Sequence, residues 1–268
     1  MAGDRSADGR MPLVEHIREL RRRLLVSVGC ILVGVIVCYV EWDPLFHFLR
    51  QPYCHANPRR SCDLVVTGVF DAFNTRMRIA FIGGIVATSP IWLYQIGAFI
   101  TPALHKKEKR YAGGFLAGAL VLFLAGVTLG YLSVGHGLKI LLHVAGPGVQ
   151  NLLTLDKYFA FLTLMLLLFG VAFEFPVIVV FLNLVGLLTF DRMMRWQRGM
   201  VFCLFLAAAV LTPSTDPFTF LFLGGALVIL WELCVAAAWV RSRRRAKHVE
   251  DDLDPDTPSY VDTTPSQL

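Results

Sequence analysis

One polar stretch decides the organisation of this chain: Gly97-Ala98-Phe99-Ile100-Thr101-Pro102-Ala103-Leu104-His105-Lys106-Lys107-Glu108-Lys109-Arg110. It separates two long apolar runs, and Pro102 favours a break between helices because proline has no N–H to donate. The cations that follow Pro102 surround one carboxylate, Glu108. Taken alone, the stretch is typical of a positively charged loop that only fixes the topology of a membrane protein.

A second stretch of the same character lies near the N-terminus, His16-Ile17-Arg18-Glu19-Leu20-Arg21-Arg22-Arg23-Leu24. Its one acid, Glu19, must lie on the same side of the membrane as Glu108. Glu19 stands four residues before Arg23, which fits an ordinary ion pair on a helix, worth a few tenths of a kcal/mol. The two acids with Phe99 also fit a receptor for a peptide that carries guanidinium groups. Carboxylates bind Arg bidentately and Lys only as a point charge, so such a site would discriminate between them.

The composition predicts an all-α polytopic membrane protein. The chain is 56% hydrophobic with a mean hydropathy of +0.60, and its charges collect in islands between continuous apolar runs of membrane-spanning length. A β-barrel would instead need segments of about 10 residues that alternate apolar and polar residues. Six transmembrane helices are predicted, at about residues 24–40, 79–100, 111–134, 158–190, 199–211 and 218–240.

The distribution of Lys and Arg predicts the orientation. If the N-terminus is cytoplasmic, the cytoplasmic pieces hold more than twice as many Lys and Arg residues as the outer pieces, so both termini are expected in the cytoplasm. Residues 1–23 then form a cytoplasmic N-terminal segment rather than a cleaved signal. Residues 241–268 form a cytoplasmic tail that is expected to be disordered, because it lacks apolar periodicity. The expected location is the inner or plasma membrane of a bacterium, as a multi-pass protein.

Two predicted spans have unusual lengths. As a helix, residues 199–211 would reach only about 20 Å, short of a bilayer core of about 30 Å. Residues 158–190 would reach about 50 Å, and Pro176 predicts a kink within them.

The outer loop, residues 41–72, is too long for a simple turn and is expected to fold as a cap on the outer face. Cys54 and Cys62 lie in this loop, on the oxidising side of the membrane if the orientation is right. A disulfide between them is predicted.

Glu174 is the only charged side chain in residues 158–190. A carboxylate at membrane depth costs about 2.5 kcal/mol or more and usually faces protein or water. Two roles fit it: a hydrogen-bonded structural acid near the Pro176 kink, or a polar group that a partner helix or a passing substrate uses.

The motif content excludes the common enzyme classes. The chain has no Gly-x-x-x-x-Gly-Lys-Ser/Thr loop for a nucleotide, no His-Glu-x-x-His for zinc and no Gly-x-Ser-x-Gly. We therefore expect no covalent catalysis and no nucleotide hydrolysis. We also expect no metal, no cofactor and no nucleic-acid partner.

These stretches resemble the TatC family, the multispanning receptor core of the twin-arginine protein translocase. The matching pieces occur in the expected order at residues 15–24, 94–104, 107–110, 169–176 and 211–213. The resemblance implies a six-helix, glove-shaped bundle that binds the twin-arginine signal peptides of folded substrate proteins. It also implies work with the single-span subunits TatA and TatB among membrane lipids, in a multi-copy assembly driven by the proton-motive force.

The resemblance also implies roles for single residues by their position in the motifs. Glu19, Phe99 and Glu108 would form the signal-peptide site, with Arg21 supporting the N-terminal segment. Further functional or structural polar positions would be Pro52, Glu174, Thr212 and Asp216.

The chain departs from the family pattern near the last two spans. Ser214-Thr215 places an extra residue before Asp216, and Phe220 stands where a polar residue for partner docking is expected. Two other hypotheses fit the residues alone. One is a proton-coupled transporter of small solutes with Glu174 as the relay, although such transporters usually show internal repeats and none is evident. The other is an assembly scaffold without a substrate site.

Overall fold

The computed structural model describes residues 13–56, 62, 64–100, 112–144, 153–212 and 217–251. Almost all of these residues are helical. In chain order the helices are α1 (Leu13–Val40), α2 (Trp42–Ala56), α3 (Asp71–Ala87), α4 (Ser89–Ile100), α5 (Ala112–Val144), α6 (Leu155–Ala172), α7 (Phe175–Leu184), α8 (Phe190–Leu211) and α9 (Pro217–Asp251).

The described part of the chain contains five helical segments long and apolar enough to cross a membrane. They are α1, α5, the α6–α7 pair, α8 and α9. Helices α3 and α4 pass the same test as a pair that is bent by 56°, so they form a sixth span if the pair counts as one. The predicted class, an all-α polytopic membrane protein, is confirmed, whereas the cytoplasmic position of both termini stays a prediction.

The bend between α3 and α4 follows from Thr88 and Pro90. Pro90 lies in the first turn of α4, where its missing N–H is tolerated. Side chains also donate to backbone carbonyls near the bend. The hydroxyl of Thr88 donates to the carbonyl of Gly84 at 2.7 Å, and the indole N–H of Trp92 donates to the carbonyl of Ile85 at 2.9 Å. The bend is therefore a hydrogen-bonded part of the fold.

The kink expected at Pro176 is present as a break between two helices. α6 ends at Ala172, and α7 begins at Phe175 with Pro176 in its first turn. Glu174 lies in the break, so the acid stands where the backbone already departs from regular helix.

Several helices extend beyond the predicted apolar runs. α8 covers 22 residues, about 33 Å at 1.5 Å per residue, so the short crossing expected at 199–211 is corrected to a full-length helix. Its first half carries the basic residues that were expected in a loop. α1 includes residues 13–23, the expected cap contains α2, and α9 continues to residue 251. Hydropathy marks only the apolar part of a helix, whereas backbone hydrogen bonds continue through its polar turns.

The centre of the bundle is the contact of α6 with α3 and α5. α6 buries one face, with Phe159, Leu162, Met165 and Phe169 fully enclosed. Gly126 of α5 lies against this face, where a Cβ atom would come within 2.5 Å of the carbonyl oxygen of Phe169. Close approach of helix backbones at small residues is the usual way that membrane helices pack.

Candidate functional site

A polar cavity of about 280 Å³ lies between the N-terminal half of α1 and α4. Its lining side chains are Glu19, Arg22, Arg23, Val26 and Gln95. Most of them come from α1, whose first turns are the basic stretch of the sequence. The cavity thus brings one acid, two cations and an amide together at one end of two adjacent helices.

Only one oxygen of the Glu19 carboxylate, Oε1, is hydrogen-bonded by Arg23. The Nε atom of Arg23 donates to Glu19 Oε1 at 2.9 Å, which is the ion pair that the four-residue spacing predicts. A second N–H of Arg23 points toward Gln95 Oε1 at 3.5 Å. The other carboxylate oxygen, Glu19 Oε2, is buried and has no hydrogen-bond partner among the described residues. A carboxylate offers about four acceptor sites, so Glu19 keeps acceptor capacity inside the cavity.

An aromatic contact also joins α1 and α4. The rings of His16 and Phe99 stack with their centroids 4.5 Å apart and their planes inclined by 17°. His16, Glu19 and Arg23 share one face of α1, because residues three or four apart lie on the same side of a helix. Gln95 and Phe99 share a face of α4 for the same reason. Phe99 is half-buried.

The structure brings together some of the predicted site residues. Glu19 and Phe99 lie on the paired faces of α1 and α4, whereas Arg21 is exposed and does not line the cavity. Glu108 and Asp216 lie outside the described residues. Sequence reasoning gave no role to Gln95 or His16, although both stand within the quoted motifs at helical spacing from Phe99 and Glu19.

Comparison with known proteins then identifies the family. The family model of the Sec-independent protein translocase protein (TatC) matches residues 15–225. The chain belongs to the TatC family.

Relatives support this TatC assignment over nearly the whole chain. The Sec-independent protein translocase protein TatC of Frankia casuarinae is 39% identical over 269 residues, which cover 95% of this chain and 74% of that protein. The chloroplastic TATC protein of Pisum sativum is 32% identical, over 87% of this chain and 64% of that protein. A crystal structure of the twin-arginine translocase receptor TatC superposes with a TM-score of 0.72 at 27% identity, covering 85% of this chain and 99% of that one. The apolar helices and these relatives make the chain a bacterial membrane protein. It belongs to a translocation complex, in which TatC proteins serve in transport without being enzymes.

Among the other predicted TatC positions, Pro52 lies inside α2 and is buried against α5. Because Pro52 has no N–H, the carbonyl of Phe48 one turn earlier loses its helical donor. The hydroxyl of Tyr131 on α5 donates to that carbonyl at 2.8 Å, and the hydroxyl of Tyr158 on α6 donates to the carbonyl of Leu49 at 2.9 Å. Pro52 therefore frees the carbonyl of Phe48 as an acceptor for Tyr131, and the two tyrosine hydroxyls fasten α2 to α5 and α6.

The sulfur atoms of Cys54 and Cys62 are joined as a disulfide, with Cα atoms 5.1 Å apart. Cys54 follows Pro52 on α2. The disulfide therefore ties the end of α2 to the chain that leads on toward α3.

Glu174 and Thr212 differ in how their oxygens are used. Glu174 Oε1 is buried and finds no hydrogen-bond partner within the described residues. The buried hydroxyl of Thr212 donates to the carbonyl of Ala208 at 2.8 Å and ends α8. Nearby, Phe220 packs against Phe205 with ring centroids 5.8 Å apart, so this position makes an apolar contact between α8 and α9.

Proposed function

We propose that this chain is the signal-peptide receptor of a twin-arginine translocase. The cavity between α1 and α4 binds the paired arginines of the peptide, and folded proteins are exported at the expense of the proton-motive force. The observation that carries the proposal is Glu19, a carboxylate with one buried oxygen still available in a cavity between α1 and α4, the helices that His16 and Phe99 join by stacking. The solved relative with the same fold is a twin-arginine translocase receptor.

The charge of the cavity explains why two acids are needed. Glu19 is paired with Arg23, and Arg22 adds a further cation. A peptide with two guanidinium groups would be repelled by such a site unless another carboxylate joined it. We assign that role to Glu108, the one acid in the basic segment between α4 and α5. Charge-assisted bidentate bonds are the strong ones, and they favour Arg over Lys.

The remaining polar positions are assigned to the assembly. Glu174 organises the polar interior at the α6–α7 break. TatA and TatB, the single-span partners, dock near Thr212 and Asp216 in a multi-copy complex. Exposed apolar residues at helical spacing on α8 support contact with lipid or with a single-span helix there, namely Phe202, Leu206 and Val210.

The decisive experiment compares two labelled signal peptides, one with Arg-Arg and one with Lys-Lys, for binding to the purified full chain in nanodiscs. The Arg-Arg peptide should bind at least tenfold more tightly, and Glu108→Gln should abolish the preference. Losing one charge-assisted contact is worth about 1.5–3 kcal/mol, which is about tenfold to more than a hundredfold. Equal binding of both peptides would reduce the loop to a topology signal and return attention to Glu174 and the transporter hypothesis.

A further inference from the structure

A second cleft, of about 520 Å³, lies between α5, α7 and α9. Its lining is apolar and includes Gly118, Leu122, Val177, Leu184, Leu233 and Ala237. Cavities of about 300–1,000 Å³ are large enough for a small ligand. None of these residues lines the polar cavity between α1 and α4, so the two sites are separate.

The α5 wall of the cleft is open in a way that helix packing does not require. A Cβ atom added to Gly114 or Gly118 would meet no atom within 4 Å. Further along the same helix, a Cβ atom on Gly126 would collide with the neighbouring backbone at 2.5 Å. Gly126 is thus needed for helix contact, whereas Gly114 and Gly118 border space that none of the described helices fills.

Two cations continue the α9 wall beyond the cleft. Arg241 and Arg244 follow Ala237 by four and seven residues, so they lie on the same face of the helix. Arg241 Nη1 donates to Asn183 Oδ1 at 3.3 Å, and Asn183 is the neighbour of the cleft residue Leu184. Arg241 therefore stands at the end of the cleft where α7 finishes.

Asn183, the hydrogen-bond partner of Arg241, is itself held by the turn after α7. Asn183 Nδ2 donates to the carbonyl of Leu188 at 2.7 Å, which orients the amide oxygen toward Arg241. Gly186 adopts a φ of 84°, a left-handed conformation that glycine tolerates. The amide N–H of Leu188 then returns to the carbonyl of Leu182 at 3.1 Å. The hydrogen-bonded turn after α7 thus fixes Asn183, and Asn183 in turn positions the guanidinium of Arg241.

We propose that this cleft binds an anionic glycerophospholipid, with an acyl chain between α5, α7 and α9 and the phosphate on Arg241 and Arg244. The complementarity is direct: an apolar slot ends in two cations, as an anionic lipid has an apolar tail below a phosphate. Basic pockets between transmembrane helices are recognised sites for such headgroups. A guanidinium has five N–H donors, so Arg241 can hold Asn183 and a phosphate oxygen together.

The test is native mass spectrometry of the purified full chain in detergent, titrated with phosphatidylglycerol or with phosphatidylcholine. The wild-type chain should prefer phosphatidylglycerol. Arg241→Gln should weaken phosphatidylglycerol binding about fivefold, the effect of one cation near an anionic headgroup, and leave phosphatidylcholine unchanged. Gly118→Leu should fill the slot and weaken both lipids about tenfold, the scale of losing one well-buried apolar contact.

Matched controls separate the site from general effects. Arg243→Gln removes a cation of the same helix that stacks on Trp239, 4.2 Å from the ring centroid. Gly113→Leu adds a side chain at an exposed neighbouring glycine with equally open space. Both controls should bind lipid like the wild type. If Gly118→Leu lowers the yield of folded protein, Ala237→Leu fills the same slot from α9.

Two results would overturn the proposal. One is equal affinity of the wild-type chain for the two lipids, with no effect of Arg241→Gln. The other is a Gly118→Leu chain that binds both lipids normally but has lost the signal peptide, which would make the apolar segment of that peptide the occupant of the cleft.

Discussion

The α1–α4 cavity and the attachment of α2 to the bundle use polar groups in opposite ways. In the cavity, Glu19 keeps a buried oxygen without a hydrogen-bond partner among the described residues. At α2, Pro52 frees the carbonyl of Phe48, and Tyr131 and Tyr158 supply hydroxyl donors to the carbonyls of Phe48 and Leu49. A buried polar group without a partner is costly. The α2 contact is thus complete, whereas the proposed function assigns the remaining acceptor of Glu19 to a donor on an incoming peptide.

The largest expected effect is on the cavity side of the comparison. Glu19→Gln removes the charge and keeps the shape, so affinity for an Arg-Arg signal peptide should fall about tenfold to a hundredfold, equivalent to about 1.5–3 kcal/mol. Thermal stability should change little, because the part-buried ion pair with Arg23 spans one turn of the same helix, and such pairs are worth a few tenths of a kcal/mol. Fluorescence anisotropy with labelled peptide and a thermal-shift assay measure the two quantities.

The control for that change is Glu15→Gln, an acid in the first turn of the same helix that does not line the cavity. Peptide affinity equal to wild type in Glu19→Gln would mean that the free oxygen has no function. The comparison between the two regions would then lose its basis.

The α2 side should show the reverse pattern, a loss of stability without a loss of binding. Tyr158→Phe leaves the carbonyl of Leu49 without its buried donor, so the free energy of unfolding should fall by about 1–3 kcal/mol. Denaturation in mild detergent measures this, and peptide affinity should stay at the wild-type value. A Tyr158→Phe chain as stable as wild type would show that the carbonyl finds another donor.

Tyr131→Phe should have a smaller effect of the same kind. Its hydroxyl bond to the carbonyl of Phe48 is exposed, whereas that of Tyr158 is buried, so its loss leaves a less completely desolvated carbonyl. The stacking of the ring on Phe48, with centroids 4.8 Å apart, is kept by phenylalanine. A loss of about 0.5–1 kcal/mol is expected. A larger loss than in Tyr158→Phe would reverse the order that burial predicts.

The smallest expected effect is a gain in affinity for the signal peptide. Arg23→Gln releases Glu19 Oε1 from its ion pair and removes a cation that repels the peptide. Peptide affinity should rise by up to about fivefold, the equivalent of an ion pair worth at most about 1 kcal/mol. Arg22→Gln is the matched control, because Arg22 lines the cavity and contributes repulsion alone. A fall in affinity for Arg23→Gln would mean that Arg23 positions Glu19 for the peptide instead of competing with it.

The limits of sequence prediction are visible at particular residues. The pairing of Glu19 with Arg23 and the break near Pro176 were predictable, because both depend on residues within one turn or two. The start of α8 at Phe190 was not, because its first turns carry cations that hydropathy assigns to a loop. Helix bounds depend on backbone hydrogen bonds, which continue regardless of side-chain polarity.

The candidate site also contains residues that the sequence predicted and one that it did not. Glu19 and Phe99 were predicted as site residues by resemblance to the TatC family, and they lie on adjacent helices. Gln95 was overlooked because an amide in a membrane helix carries no distinctive pattern. Only the approach of α4 to α1 brings it to the cavity.

Residue order alone determined the membrane-spanning helical class, the kink at Pro176 and the family, because hydropathy, charge and motif spacing belong to neighbours along the chain. The tertiary structure alone decided which oxygen of Glu19 is available, why Pro52 is tolerated and where an apolar cleft meets Arg241. The hydroxyls that serve the α2 carbonyls come from residues 83 and 109 positions away in sequence. No local pattern encodes such contacts, since they exist only when packing brings distant helices within hydrogen-bond distance.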